Sequence, residues 1–166
     1  MTFDDPMPLD DLTTLNDFLP AERAVCGLRV AGKAALLEDL ARRAALGLGR
    51  ETAPIRAALA ARESLGSTGI GYGIALPHAR LDGLERPYGL LARLRDPLDF
   101  DAIDERPVDL VALLLLPVDP RDASVTALAC IARRLRDPGV ASALRAARDA
   151  PGLHAALCGN GFGAGG

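Results

Sequence analysis

The sequence predicts a single-domain α/β protein, and three observations carry that prediction. Windows of helical periodicity alternate with short apolar runs of strand length. One of those runs, Val108–Leu116, is nearly all apolar, as expected of a central strand covered on both faces. The chain of 166 residues, 49% hydrophobic and 25% charged, is long enough for one sizeable core.

Residues 1–20 read as an acidic, partly ordered lead-in, with Asp4, Asp5, Asp10 and Asp11. Ala24–Val30 alternates weakly and suits an edge strand. Gly32–Leu48 reads as a helix, because Leu36, Leu37, Leu40, Ala44 and Leu48 recur at helical spacing. Thr52, a candidate cap, and Pro54 start a second helix that runs to about Glu63. Ile55, Leu59 and Arg62 fall near one another on it.

Gly66–Gly73 breaks that helix, and Ile74–Leu76 is a short buried strand. Tyr88–Leu94 reads as another strand, and Pro97–Glu105 as an acidic, turn-rich loop. After the apolar strand, Pro117 and Pro120 force a stop. A helix then runs from Asp122 or Ala123 to about Leu135. Asp137 caps the next, to Arg148, and Ala150-Pro151 opens a short last helix to about Leu157. Residues 159–166 are Gly-rich and read as a disordered tail.

Net charge is −3, which argues against a nucleic-acid surface. The three cysteines, Cys26, Cys130 and Cys158, are odd in number and widely spaced, so they fit neither a disulfide framework nor a zinc site. They read as small buried apolar residues in a reducing cytoplasm. An acidic N-terminus is no signal peptide, and no apolar run approaches the roughly 18 residues that membrane insertion needs.

Chemistry concentrates in residues 62–80. Gly66, Gly69, Gly71 and Gly73 let the backbone approach a ligand and offer N–H groups for an anion-binding nest. Ser67 and Thr68 add hydroxyl donors, Arg62 and Arg80 bracket the segment, and His78 follows the short strand. Imidazole titrates near neutral pH and is a competent nucleophile there. A nucleophile with neutralising donors is the equipment for holding a phosphoryl group. Other motifs fail: no Lys completes a P-loop, the glycines do not follow a dinucleotide fingerprint, and Leu65 stands where a hydrolase elbow needs Gly. No second histidine has ligand spacing, so no metal site is expected. His154 reads as an ordinary helix residue.

The run Arg62-Glu63-x-x-Gly66-Ser67-Thr68-Gly69-Ile70-Gly71-x-Gly73-Ile74-Ala75-x-Pro77-His78 closely resembles the IIA proteins of the phosphoenolpyruvate-dependent phosphotransferase system. It is most similar to their nitrogen-regulatory branch, related to the mannitol and fructose IIA domains. The resemblance spans about residues 9–157 and includes the loop from Asp99 to Asp104, the strand from Pro107 to Leu116, and the Ala132-Arg133-Arg134-Leu135 helix.

This resemblance implies a central mixed β-sheet flanked by helices on both faces. It implies a cytoplasmic phosphocarrier without cofactor or metal. His78 matches the phosphorylated histidine, loaded by a small HPr-type phosphohistidine carrier, and Arg62 matches the arginine near that phosphate. Ser67, Thr68, Gly69 and Arg80 are the further candidates for the phosphate. The family's second active-site histidine falls on Ser124, which offers a neutral hydrogen bond where a charge-assisted one is usual. Two readings follow. In the first, the protein transfers phosphate and regulates an unidentified protein target, since the sequence shows no attached IIB or IIC segment. In the second, it is a degenerate IIA-like regulator that has lost efficient transfer and acts by binding.

Overall fold

The computed structural model describes residues 15–119 and 124–159, with the side chains of residues 124 and 125 outside it. The acidic lead-in up to residue 14, the predicted helix start at Asp122 or Ala123, and the tail from residue 160 all lie outside the described residues. From residue 15 the chain is helical to residue 18, and a 3-10 turn at Ala21–Arg23 leads into β1 (Ala24–Leu28). Then come α1 (Lys33–Leu48), α2 (Thr52–Ser64), β2 (Gly69–Gly71), β3 (Ile74–Ala75), β4 (His78–Leu81), β5 (Tyr88–Leu98) and β6 (Val108–Pro117). The chain closes with α3 (Ser124–Arg136), α4 (Pro138–Ala146) and α5 (Ala150–Cys158).

The strands form one mixed sheet in the order β1-β5-β6-β3-β2, with β4 also on β6. β6 is central, as its apolar run predicts: it pairs antiparallel with β5 and parallel with β3 and β4. β1 lies at an edge, parallel to β5. Side chains alternate along β6. Val111, Leu113 and Leu115 join a cluster with α1 and α2, through Leu36, Leu40, Ile55 and Leu59. Leu110, Ala112, Leu114 and Leu116 join a second cluster with α3, α4 and α5, through Ile131, Leu144 and Leu157. Helices therefore cover both faces, and the α/β architecture with its mixed sheet is as expected.

Several boundaries differ for identifiable reasons. Thr52 is not a cap: Glu51 precedes the helix in extended conformation, no side chain caps it, and Thr52 is already helical. Asp137 does cap α4, accepting from the amides of Gly139 and Val140. That helix ends at Ala146, earlier than expected, where Arg93 from β5 donates to the carbonyls of Leu144, Arg145 and Ala147. Gly49, in the left-handed region at φ 67°, ends α1 with its N–H on the Ala45 carbonyl. β5 runs on to Leu98 through an irregularity after Arg93, so Pro97 lies in a strand rather than a loop.

The largest difference concerns the glycine-rich segment. β2 forms inside the stretch read as a break, and the strand after it does not stop at Pro77. β3 and β4 both lie along β6, Ile74 opposite Leu110 and His78 opposite Leu114, with no slip between them. Pro77 lacks an N–H, but its carbonyl still accepts from Leu114. Cys130 and Cys158 are buried and Cys26 partly so, and none of the three is in a disulfide. Burial pushes the Cys158 thiol up to about 11, which keeps it unreactive.

Candidate functional site

His78 is the first residue of β4 and is half-buried. Its register partner Leu114 belongs to the cluster beneath α3, α4 and α5, so His78 faces that layer. Its Nδ1 lies 2.8 Å from the Leu76 carbonyl oxygen. A carbonyl only accepts, so Nδ1 carries the hydrogen and Nε2 keeps its lone pair. The bond fixes tautomer and ring orientation together, as hydrogen bonds to the second nitrogen commonly do.

Arg62 sits in the last turn of α2, half-buried, and its Nη1 donates to the Gly66 carbonyl at 3.0 Å. The segment after it runs back along the strand that carries His78. Gly69 pairs antiparallel with Ala75, and the Leu76 amide donates to the Thr68 carbonyl at 2.9 Å. Carrying that register two residues further would bring Gly66 level with His78. Gly69 is required here because a side chain would meet the Ala102 Cβ at 2.8 Å.

The other sequence candidates are committed to internal bonds. The Ser67 hydroxyl donates to the Phe100 carbonyl at 2.9 Å and accepts the Gly69 amide at 3.0 Å. The Thr68 amide and hydroxyl both donate to the Glu63 carboxylate, at 2.9 and 2.6 Å. The Gly66 amide goes to the Glu63 carbonyl. Arg80 is exposed, and its Nη1 donates to the Pro117 carbonyl at 2.7 Å at the end of β6. α3 begins at Ser124, on the layer His78 faces, and the Ser124 side chain lies outside the described residues. His154 donates from Nε2 to the Leu19 carbonyl at 2.8 Å and so ties α5 to the chain before β1.

Glu63 is what the sequence reading passed over. It is buried at 8% exposure, and with Ile55 and Leu59 it makes the inward stripe of α2 at spacings of four. Arg62 was expected in that position. A carboxylate on an apolar stripe was the available signal, because a buried charge needs partners. Lys33 supplies one: its Nζ is 3.0 Å from Glu63 and 3.3 Å from Asp101, over the Phe100 ring. Burial alone would raise the Glu63 carboxyl, but the Thr68 bonds and the Lys33 ammonium more than reverse this and hold it below its ordinary 4.5. A depressed folded-state value means stability present above 4.5 and lost as pH falls through the folded value. Urea midpoints measured from pH 7 down to pH 3 should therefore fall more steeply for wild type than for Glu63→Gln. Parallel curves would refute the ion pair.

Among the described residues, no group of three or more His, Cys, Asp or Glu is placed to hold a metal, and no helix is long and apolar enough to cross a membrane. A cavity of about 540 Å³ opens near Tyr72, Leu135 and Arg145, and His78 does not line it.

Residues 17–157 match the family described as "Phosphoenolpyruvate-dependent sugar phosphotransferase system, EIIA 2". A "Nitrogen regulatory protein" of Bradyrhizobium diazoefficiens is 44% identical over 151 residues, which cover 91% of this chain and 95% of that protein. The crystal structure of nitrogen regulatory protein IIA-Ntr from Neisseria meningitidis superposes with a TM-score of 0.81 at 31% identity, over 86% of this chain and 98% of that one. IIA mannitol from Escherichia coli shares the fold, with a TM-score of 0.68 at 18% identity over 82% of this chain and 96% of that one.

Proposed function

We propose, from the premise that this chain belongs to the EIIA 2 family of the phosphoenolpyruvate-dependent sugar phosphotransferase system, that it carries a phosphoryl group on His78 Nε2. The observation that carries this is the Nδ1 bond to Leu76, which leaves Nε2 as the ring's one nucleophilic nitrogen. In the transfer, the Nε2 lone pair forms a bond to phosphorus while the donor's N–P bond breaks and returns its electrons to the donor imidazole. No proton has to leave His78. The phosphorylated ring becomes imidazolium-like, and the Leu76 carbonyl stabilises the Nδ1–H that it keeps.

The donor is a phosphohistidine carrier of the HPr type, so both partners of the exchange are imidazoles and the reaction is near balance. Arg62 neutralises charge on the transferring group, the main way proteins speed phosphoryl transfer. Arg80 is placed further along the same strand, bonded at the end of β6. Ser67 and Thr68 support the site as framework, since their donors serve Phe100 and Glu63. The helix beginning at Ser124 follows β6 on the His78 face, and its positive end suits an anion.

The role is regulatory: relatives are nitrogen regulatory proteins, and a phosphate adding about two negative charges changes which partners dock. The protein then works in the cytoplasm, where phosphoenolpyruvate feeds the relay. One feature of the resemblance favours the second reading, of a regulator that binds without being phosphorylated: by that resemblance the family's second histidine falls on Ser124.

Intact-mass measurement after incubation with phosphoenolpyruvate, the first enzyme of the relay and an HPr-type carrier separates the two. Acid-labile phosphate on wild type is expected. Ser124→His should load about fivefold faster, because a hydrogen bond to a charged group is worth roughly 1 kcal/mol more than a neutral one. Phosphate on Ser124→His alone would make binding the native activity.

A further inference from the structure

We propose that Glu63, clamped between Lys33 and Thr68, is a positioning residue that aims Arg62 at the His78 phosphate. The inference rests on the phosphocarrier reading above. Glu63 accepts two bonds from Thr68, one to each carboxylate oxygen, and so closes the chain between residues 63 and 68 into a loop. The Gly66 amide donates back to the Glu63 carbonyl at 3.1 Å, inside the same loop. Gly66 is the residue whose carbonyl holds the Arg62 guanidinium. Among the described residues, no other hydrogen bond or ion pair holds the Arg62 side chain.

The far side of the loop is tied to the strand that bears His78. The Thr68 carbonyl accepts the Leu76 amide, and the Leu76 carbonyl accepts His78 Nδ1. Successive bonds thus connect Lys33, Glu63, Thr68, Leu76 and His78. The connection is positional: the amide and the carbonyl of Thr68 belong to different peptide groups, as do those of Leu76. Glu63 itself is too buried to meet a phosphate, and its charge would repel one. Its use is to set the distance between Arg62 and His78 from below.

The ion pair makes the clamp stiff. The Lys33 and Glu63 side chains are 20% and 5% exposed, and the ammonium also lies over the Phe100 ring at 4.6 Å from its centroid. A pair this sheltered is costly to break from one side, because a buried charge is left without a partner. Lys33 is the first residue of α1, so the clamp joins the start of one helix to the end of the next and to the Ser67–Phe100 contact.

The test is a kinetic double-mutant cycle of transfer from a phosphorylated HPr-type carrier, with every variant first shown to unfold cooperatively. Thr68→Val keeps the shape and removes the hydroxyl. It should lower kcat about tenfold at unchanged KM, in line with the cost of misplacing a group by a fraction of an ångström. Thr68→Ser should recover most of that loss. Beside Arg62→Ala, Thr68→Val should have almost no further effect, because the two act through one group. Lys33→Met is the second probe should Thr68→Val fail to fold, and it should show the same dependence on Arg62. Additive losses, a raised KM or no loss would overturn the clamp, and additivity would point to direct contact of Thr68 with the phosphate. A wild type that takes no phosphate would overturn the phosphocarrier reading and the clamp with it, whereas a phosphorylated wild type with additive losses would overturn the clamp alone.

Discussion

His78→Ala should take up no phosphate when incubated with phosphoenolpyruvate, the first enzyme and the carrier, while wild type should gain an acid-labile one. The expected effect is complete rather than graded, because in the proposed transfer the phosphate is held by a covalent bond to the ring. The sequence holds two histidines in all, so the only competing acceptor is His154. That ring already donates from Nε2 to Leu19 and so ties α5 to the chain before β1. Acid-labile phosphate on His78→Ala would therefore map to His154 and overturn the site assignment. The substitution should leave the fold intact. It removes one hydrogen bond from the Leu76 carbonyl, worth about 1 kcal/mol, so a collapsed unfolding transition would make the phosphate result uninformative about chemistry. His78→Asn, whose side-chain nitrogen is attached to Cγ as Nδ1 is, keeps a donor for Leu76 and gives the cleaner comparison.

Phe100→Ala has the second large effect, on stability. Phe100 is fully buried, at 0% exposure, in the cluster beneath α1 and α2. Removing a buried phenyl ring costs about 3–5 kcal/mol through lost transfer energy and the cavity left behind. For a chain of this size, each kcal/mol moves the thermal midpoint by about 2–4 °C, so a drop of roughly 6–20 °C is expected. The ring also supports the Lys33 ammonium, and the Phe100 carbonyl holds the Ser67 hydroxyl. Phe100→Leu, which keeps most of the volume, should fall much less. A midpoint within about 2 °C of wild type for Phe100→Ala would show that the site can collapse and that the ring is not a core support.

The elements that were legible in the sequence are those whose stability is written locally. Leu36, Leu37, Leu40 and Ala44 mark α1 by spacing alone, and the apolar run of β6 announces a strand covered on both faces. Asp137 before Pro138 marks the start of α4. What was not legible depends on distant partners. β2 is three residues containing two glycines, and it exists because β3 lies beside it. β4 follows a proline, a local signal to stop, and is held by β6, 36 positions away in register. The exposed Arg95, Asp96 and Pro97 disguise the end of β5.

The candidate site divides in the same way. The motif drew attention to residues 62–80 and to His78 and Arg62 within them. It did not reveal how the donors are shared out, because Ser67 finds its acceptor 33 residues away and Glu63 finds Lys33 on another helix. Free-looking hydroxyls in a sequence are free only if no distant carbonyl or carboxylate claims them, and here both are claimed.

The place of β4 in the sheet bears on how the molecule behaves in a crowded solution. β4 pairs on one side only, with β6, and so lies at an open margin of the sheet. Such margins recruit foreign strands and seed aggregates, unless short length, proline or charge blunts them. All three are present: four residues, Pro77 before them, and exposed Arg80 among them. The short, basic segment after Pro77 thus guards the free side of β4 against strand addition.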